Sequence, residues 1–203
     1  MKSLLLRYLF LCCLCCFFQG GFAAGTVVSW QAPKGAGLNN DFTVKVRSEG
    51  KSKWVLVPTY LVKVDEVRET KHHVEHASMA TFDFSEKVEI EVTYNKGKID
   101  AARVRPLSYD IPFTIEGNTL RFSLEKPANL SVEVNGDIFH NLHLFANPLD
   151  TFKVDKKNPD LIYFGPGIHR FEGGEFRIPS GKTVYVAGGA VMMGRMLIEN
   201  VHD

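Results

Sequence analysis

The chain has 203 residues with 24 Lys+Arg against 23 Asp+Glu, so its formal charge of +1 offers no positive excess for nucleic-acid binding. Lys2 and Arg7 are the charges of the first 23 residues, and removing that segment leaves 22 basic against 23 acidic residues. All four cysteines (Cys12, Cys13, Cys15, Cys16) fall there too, which excludes a disulfide scaffold, a cysteine–zinc site and a catalytic thiol from the rest.

Residues 1–23 read as a secretory leader. Two charges precede an apolar run, Leu9–Phe18, and Gly21 and Ala23 stand at the −3 and −1 positions of a cut after Ala23. The run is too short for a helix that needs about 20 residues to span a bilayer. A lipoprotein would need a small residue before a cysteine at the leader's end, where Phe17 and Phe18 stand instead. The expected product is a secreted or periplasmic protein with no membrane span in its mature chain.

Residues 24–149 carry strand-like alternation. Phe42–Val46, Lys87–Val92, Thr119–Leu124 and Asn129–Val134 place apolar side chains at every second position, which buries one face of an antiparallel sheet and wets the other. Trp54–Val57 and Tyr60–Val64 are separated by Pro58, which cannot donate to a central ladder. Turn signals fall at Gly50, Asn95-Lys-Gly97, Glu116-Gly-Asn118 and Asn135-Gly136, the last suited to a type I′ turn. This pattern predicts a β-sandwich of roughly eight or more strands.

After Pro148 the texture changes. Asp150 to Asp160 is a polar connector, and beyond it glycines recur at 167, 174, 181, 188 and 194, in steps of 7, 7, 7 and 6. Between them lie very short strands: Leu161–Phe164, Glu175–Ile178, Thr183–Val186 and Ala190–Met193. Strands this short with glycine corners suit a coiled parallel solenoid, whose corners turn where side chains would clash. Residues 150–203 supply one or two repeats of it, where about three are needed to bury a core.

Tyr163-Phe-Gly-Pro-Gly-Ile-His169 and the run from Ile178-Pro-Ser-Gly181 through Thr183-Val-Tyr-Val-Ala187 to Gly194 resemble the opening coil of the right-handed parallel β-helix in polysaccharide-degrading enzymes. Arg103-Val-Arg-Pro-Leu-Ser-Tyr109 and Asn141-Leu-His-Leu-Phe-Ala-Asn-Pro148 resemble stretches of the sandwich that precedes it. The similarity is to the dextranase and isopullulanase family of glycoside hydrolases, with polygalacturonase-like relatives of the same layout. Gly188 departs from it, standing where the family often has proline.

The resemblance implies an all-β chain, an antiparallel sandwich followed by the start of a right-handed parallel β-helix. It further implies a non-catalytic front part that caps the helix end, shielding unpaired backbone edges. Inverting glycosidases need two carboxyls about 6.5–9.5 Å apart. Asp160, Glu172, Glu175 and Asp203 form no such cluster, so no catalytic residue is assigned and no cofactor is expected. The implied partner is a polysaccharide, a neutral glucan or a pectin-type chain, and the even charge does not choose between them. A stand-alone secreted carbohydrate-binding or surface module is the alternative. An immunoglobulin-like adhesion module fits the strand count but leaves residues 160–194 without a use.

Several side chains invite a functional reading. His72, His73 and His76 with Glu75 suggest a metal site, but a solvated charged hairpin loop over residues 66–71 is favoured, since zinc needs three or four converging ligands. Trp30, Trp54, Tyr60 and Tyr109 suggest a sugar-stacking platform; core packing is favoured for the others, leaving Trp30, beside Gln31 and Pro33, as the candidate binding residue expected to be exposed. His140 and His143 are expected as hydrogen-bonding partners at a domain seam, and His169 as a donor to the carbonyls of the Gly165-Pro-Gly167 turn. Those glycines open no helix and so form no phosphate loop, and Asn129-Leu-Ser131 is a formal glycosylation sequon.

Overall fold

The computed structural model describes residues 25–199 and 201. Residues 1–23, expected to be a leader, and the terminal Asp203 lie outside the described residues. The sandwich strands are β1 (Val27–Val28), β2 (Phe42–Ser48), β3 (Val55–Val57), β4 (Thr59–Arg68), β5 (Lys71–Phe84), β6 (Val88–Tyr94), β7 (Ala102–Arg105), β8 (Phe113–Glu116), β9 (Thr119–Leu124), β10 (Ala128–Val134) and β11 (Asp137–Pro148). Four more follow: β12 (Leu161–Phe164), β13 (Gly167–Arg177), β14 (Thr183–Val186) and β15 (Ala190–Leu197). A 3-10 turn at Leu107–Tyr109 is the one helical element among the described residues, and none of them forms a helix long and apolar enough to cross a membrane.

The alternation builds two facing sheets. One runs β3-β2-β6-β9-β8; the other runs β1-β5-β11-β10-β7, with β4 also on β5. Val44 and Val46 of β2, Val88, Ile90 and Val92 of β6 and Leu120 of β9 meet Ala80 and Phe82 of β5, Leu142 and Leu144 of β11 and Val132 of β10 in one core. Apolar burial of this kind is the main favourable term in folding. The outer face of the five-stranded sheet is charged: Glu91 pairs with Lys45 at 3.1 Å and Arg121 at 2.9 Å, and Arg121 reaches Glu116 at 2.8 Å. Exposed pairs of this sort add little stability, but they keep that face wet.

Two features depart from the sequence reading. The sandwich is not purely antiparallel, because β11 lies parallel to β5, with Leu142 opposite Ser78 and Pro148 opposite Phe84. Residues 66–71 are not a loop either. The turn is confined to Glu69 and Thr70, both at positive φ (48° and 67°), and β4 and β5 pair on either side of it from Arg68↔Lys71 to Thr59↔Ala80. Leu142 is already opposite Ser78, so the first half of β5 has β4 as its only neighbour in the sheet and stands out as a two-stranded ribbon.

The Asn135-Gly136 turn has both residues at positive φ, 54° and 80°, as a type I′ turn requires. Asn135 Oδ1 accepts the Asp100 and Ala101 N–H groups at 2.9 and 3.2 Å, and its Nδ2 donates to the Lys98 carbonyl at 3.0 Å. Asn135→Ala forfeits these bonds and leaves a β-carbon in left-handed backbone, an expected loss of about 1–2 kcal/mol. Thermal melts should show a fall of roughly 5 °C at that size; an unchanged midpoint would refute the assignment.

Past the connector, the glycine-cornered strands stack as two coils. β12 lies parallel on β14, with Leu161 opposite Thr183, and β13 lies parallel on β15, with Gly167 opposite Ala190. Inside the first coil Phe164 meets Phe171 and Phe176 edge-on at 5.8 and 5.4 Å. At the second corner a β-carbon on Gly194 would fall 2.7 Å from the Gly174 carbonyl oxygen, so only glycine lets the coils approach this closely. His169 Nε2 lies 2.6 Å from the Gly165 carbonyl, tying that turn as expected.

Candidate functional site: the cleft between sandwich and coils

The outer face of the six-stranded sheet meets the coils at the end where β5 and β11 finish. Period-2 alternation sends Phe82, Phe84 and Ala146 into the core and so sends Thr81, Asp83 and Asn147 out to this seam. Asn147 is opposite Asp83 in the parallel ladder, and its Nδ2 donates to Thr81 Oγ1 at 3.1 Å and to Asp83 Oδ1 at 3.4 Å. These three side chains floor a cleft of about 800 Å³. Its walls include Trp30 from the segment after β1, Tyr163 of β12, and Tyr185 of β14.

Trp30 is half-buried, not exposed as its sequence position suggested. A β-carbon built on Gly188 would fall 1.9, 2.2 and 2.4 Å from Cε2, Nε1 and Cδ2 of the indole. Three adjacent ring atoms at such similar distances put the indole face over the glycine. Glycine stands here where the resemblance led to an expectation of proline, and a ring at position 188 would occupy the same space as the indole.

Tyr163 and Tyr185 lie opposite each other on the two coils and stack at 5.9 Å with a 7° interplanar angle. Connector residues extend this column, with Phe152 stacked on Tyr185 at 5.0 Å and the Lys156 ammonium 4.3 Å over the Tyr163 ring. The Tyr185 hydroxyl donates to Asp150 Oδ2, and Oδ1 of Asp150 accepts the Phe152 N–H at 2.8 Å. Those bonds hold the Asp150 carboxyl below its ordinary range. Both of its oxygens are engaged, so Asp150 anchors the connector and is poorly placed to activate water.

Asp83 is the opposite case. It is 7 % exposed, and burial pushes its carboxyl above the ordinary range despite the bonds from Asn147 and from the Asp150 backbone. Above about pH 4 the unfolded chain has lost a proton that the folded chain still favours holding, so stability falls as pH rises through the raised value. Asp83→Asn removes that burden and is expected to raise the melting temperature at pH 7, with the gain shrinking below pH 4. A lower midpoint at pH 7 would refute this.

The remaining candidates disperse. His72 and His76 share a face of a strand, not of a helix, which separates them by about 13 Å along β5; His72 Nδ1 lies 2.7 Å from Asp65, and His73 faces the other way. Among the described residues no group of three or more His, Cys, Asp or Glu is placed to hold a metal ion. His140 does not reach the seam. It sits at the far end of β11, its Nδ1 2.8 Å from Asp137 and its Nε2 3.1 Å from Glu75, joining the ribbon to the β10–β11 turn. The core expectation also fails for three aromatics. Trp54 and Tyr60 are half-buried, Trp54 with the Arg47 guanidinium 4.4 Å over its ring, and Tyr109 is 54 % exposed. On the coils, Asp160 pairs with Lys182, Glu175 with Arg195, and Glu199 with Arg177.

The architecture defines an all-β class in which a sandwich leads into stacked parallel coils. No protein-family model matches the chain, and no curated protein matches it. Among solved structures it is similar to Dex49A from Penicillium minioluteum, a dextranase, with a TM-score of 0.62 at 14% identity. The match covers 85% of this chain and 48% of that one, so the chain spans less than half the length of the solved neighbour.

Proposed function

We propose that the chain is the N-terminal part of a secreted polysaccharide-degrading glycoside hydrolase, dextranase-like or polygalacturonase-like, and is itself non-catalytic. The observation that carries this reading is the fold shared with a dextranase over 85% of the chain. Two features support it. Three carboxylates of the coils, Asp160, Glu175 and Glu199, are paired with cations instead of facing each other across a substrate gap. The sandwich packs along the coils through Trp30 and the connector, a position suited to capping the end of a β-helix. Export follows from the leader, and the exported protein is expected to begin at Ala24.

The test is reducing-sugar release from dextran and polygalacturonate, by this polypeptide and by the product of the whole reading frame. The polypeptide alone should release none, and clean turnover by it would overturn the non-catalytic reading. Inactivity of the whole product on both polymers would overturn the hydrolase reading. The seam cleft favours a second reading in that event, a carbohydrate-binding module acting without hydrolysis.

A further inference from the structure

We propose that the seam cleft is a binding site for a neutral oligosaccharide, with Trp30 against the C–H face of a sugar ring and Asp83, Asn147 and Thr81 meeting its hydroxyls. The proposal rests on the polysaccharide-associated reading above and adds the site and the charge class of the ligand.

Size comes first. About 800 Å³ falls within the range of small-molecule sites and accommodates a few sugar rings. The lining chemistry is mixed in the way a sugar demands. Trp30 offers a flat indole face, and Tyr163 and Tyr185, whose faces are taken by each other, by Lys156 and by Phe152, offer ring edges; Thr81, Asn147 and Asp83 offer a polar floor anchored on adjacent strands of a sheet. That floor is rigid, because the same two strands carry Phe82 and Ala146 in the core behind it.

Charge selects the class. The residues lining the cleft include two carboxylates, Asp83 and Asp150, and no lysine, arginine or histidine. A uronate would bring a third negative charge against them, and Lys156, engaged over the Tyr163 ring, is not among the lining residues that would receive it. A divalent cation is poorly served as well, since both Asp150 oxygens are engaged and Asp83, already accepting two bonds, is the one other carboxylate in the lining. Hydroxyl donors fit best. Asp83 is nine-tenths buried and accepts two bonds in the protein, from Asn147 at 3.4 Å and from the Asp150 backbone, of about four that a carboxylate can take, so it retains acceptor capacity. Its raised pKa adds to the picture: the fold tolerates a carboxylate that destabilises it at neutral pH, as binding sites often do.

The sequence holds two tryptophans, so Trp54→Phe leaves Trp30 as the sole indole reporter, and Trp54 lies outside the cleft. Emission of that variant is followed while isomaltotriose, maltotriose, trigalacturonate and calcium chloride are added separately. The expected result is a saturable change with at least one neutral trisaccharide and none with trigalacturonate or calcium. Asp83→Asn should weaken binding about tenfold while raising the melting temperature at pH 7, a combination that a purely structural role would not produce. Thr81→Ala, read by calorimetry, gives a second test if Asp83→Asn folds poorly, and should also weaken binding.

Retention of the chain on cross-linked dextran, measured in parallel, separates the two levels of the proposal. Retention with unmoved Trp30 emission overturns the cleft and leaves the polysaccharide reading standing. Absence of both overturns the cleft and removes glycan binding from that reading. A response to trigalacturonate equal to that of the neutral sugars, a response to calcium alone, or unchanged affinity in both variants would each overturn the neutral-saccharide assignment.

Discussion

Phe82→Ala is expected to be among the most damaging single changes in the chain, a loss of about 3–5 kcal/mol with a fall in melting temperature of roughly 10 °C. Phe82 is fully buried and packs against Phe84 at 5.8 Å in the middle of the sandwich. Its strand is the hub of the six-stranded sheet, since β1, β4 and β11 all pair with β5. A cavity there cannot collapse easily, because three neighbouring strands would have to move together. The damage should also reach the seam. Thr81 and Asp83 flank Phe82 and point the other way, so a relaxed β5 would disturb the cleft floor. Urea unfolding should therefore show a lower midpoint at an unchanged slope, together with weaker saccharide binding. A loss below about 1 kcal/mol would contradict the packing described.

Gly188→Ala should cost about 3 kcal/mol, far more than its added methyl group suggests, because the new β-carbon would lie 1.9 Å from the Trp30 indole. Neither the glycine's backbone nor the ring has a small adjustment that clears such an overlap, so Trp30 must leave its seat. Red-shifted Trp30 emission and faster proteolysis within residues 149–160 are the expected signs. Trp30→Ala should lose the seam packing by itself, and adding Gly188→Ala to it should then cost little more. That non-additivity is the diagnostic, since two unrelated sites would simply sum. Equal costs for Gly188→Ala in the presence and absence of the indole would refute the contact.

How much of this was legible depends on how local the signal is. Phe42–Val46, Thr119–Leu124 and Asn129–Val134 declare themselves because each buries one face, and the twofold period is written into the residues. The first half of β5 is illegible by the same rule. Lys71-His-His-Val-Glu-His76 has water on both faces of a ribbon, so alternation has nothing to sort, and a charged loop is the natural misreading. The parallel pairing of β5 with β11 is hidden for another reason: pairing direction depends on where the chain returns, which no local pattern encodes. The cleft is the extreme case. Its floor comes from positions 81, 83 and 147 and its walls from positions 30, 163 and 185, and the odd glycine at 188 was the one local clue. It marked an indole belonging to the other end of the chain.

Trp30 seats on the second coil, not the first. In a stacked repeat each coil contacts only its neighbours, and the outermost is free to fray while the rest persists. Here the sandwich reaches past the first coil to grip Gly188, while Phe152 and Lys156 close on Tyr185 and Tyr163, one from each coil. Neither coil can peel away without releasing a contact made by the other or by the sandwich. Sandwich and coils are thus joined into one cooperative unit, in which neither described coil is held by its neighbour alone.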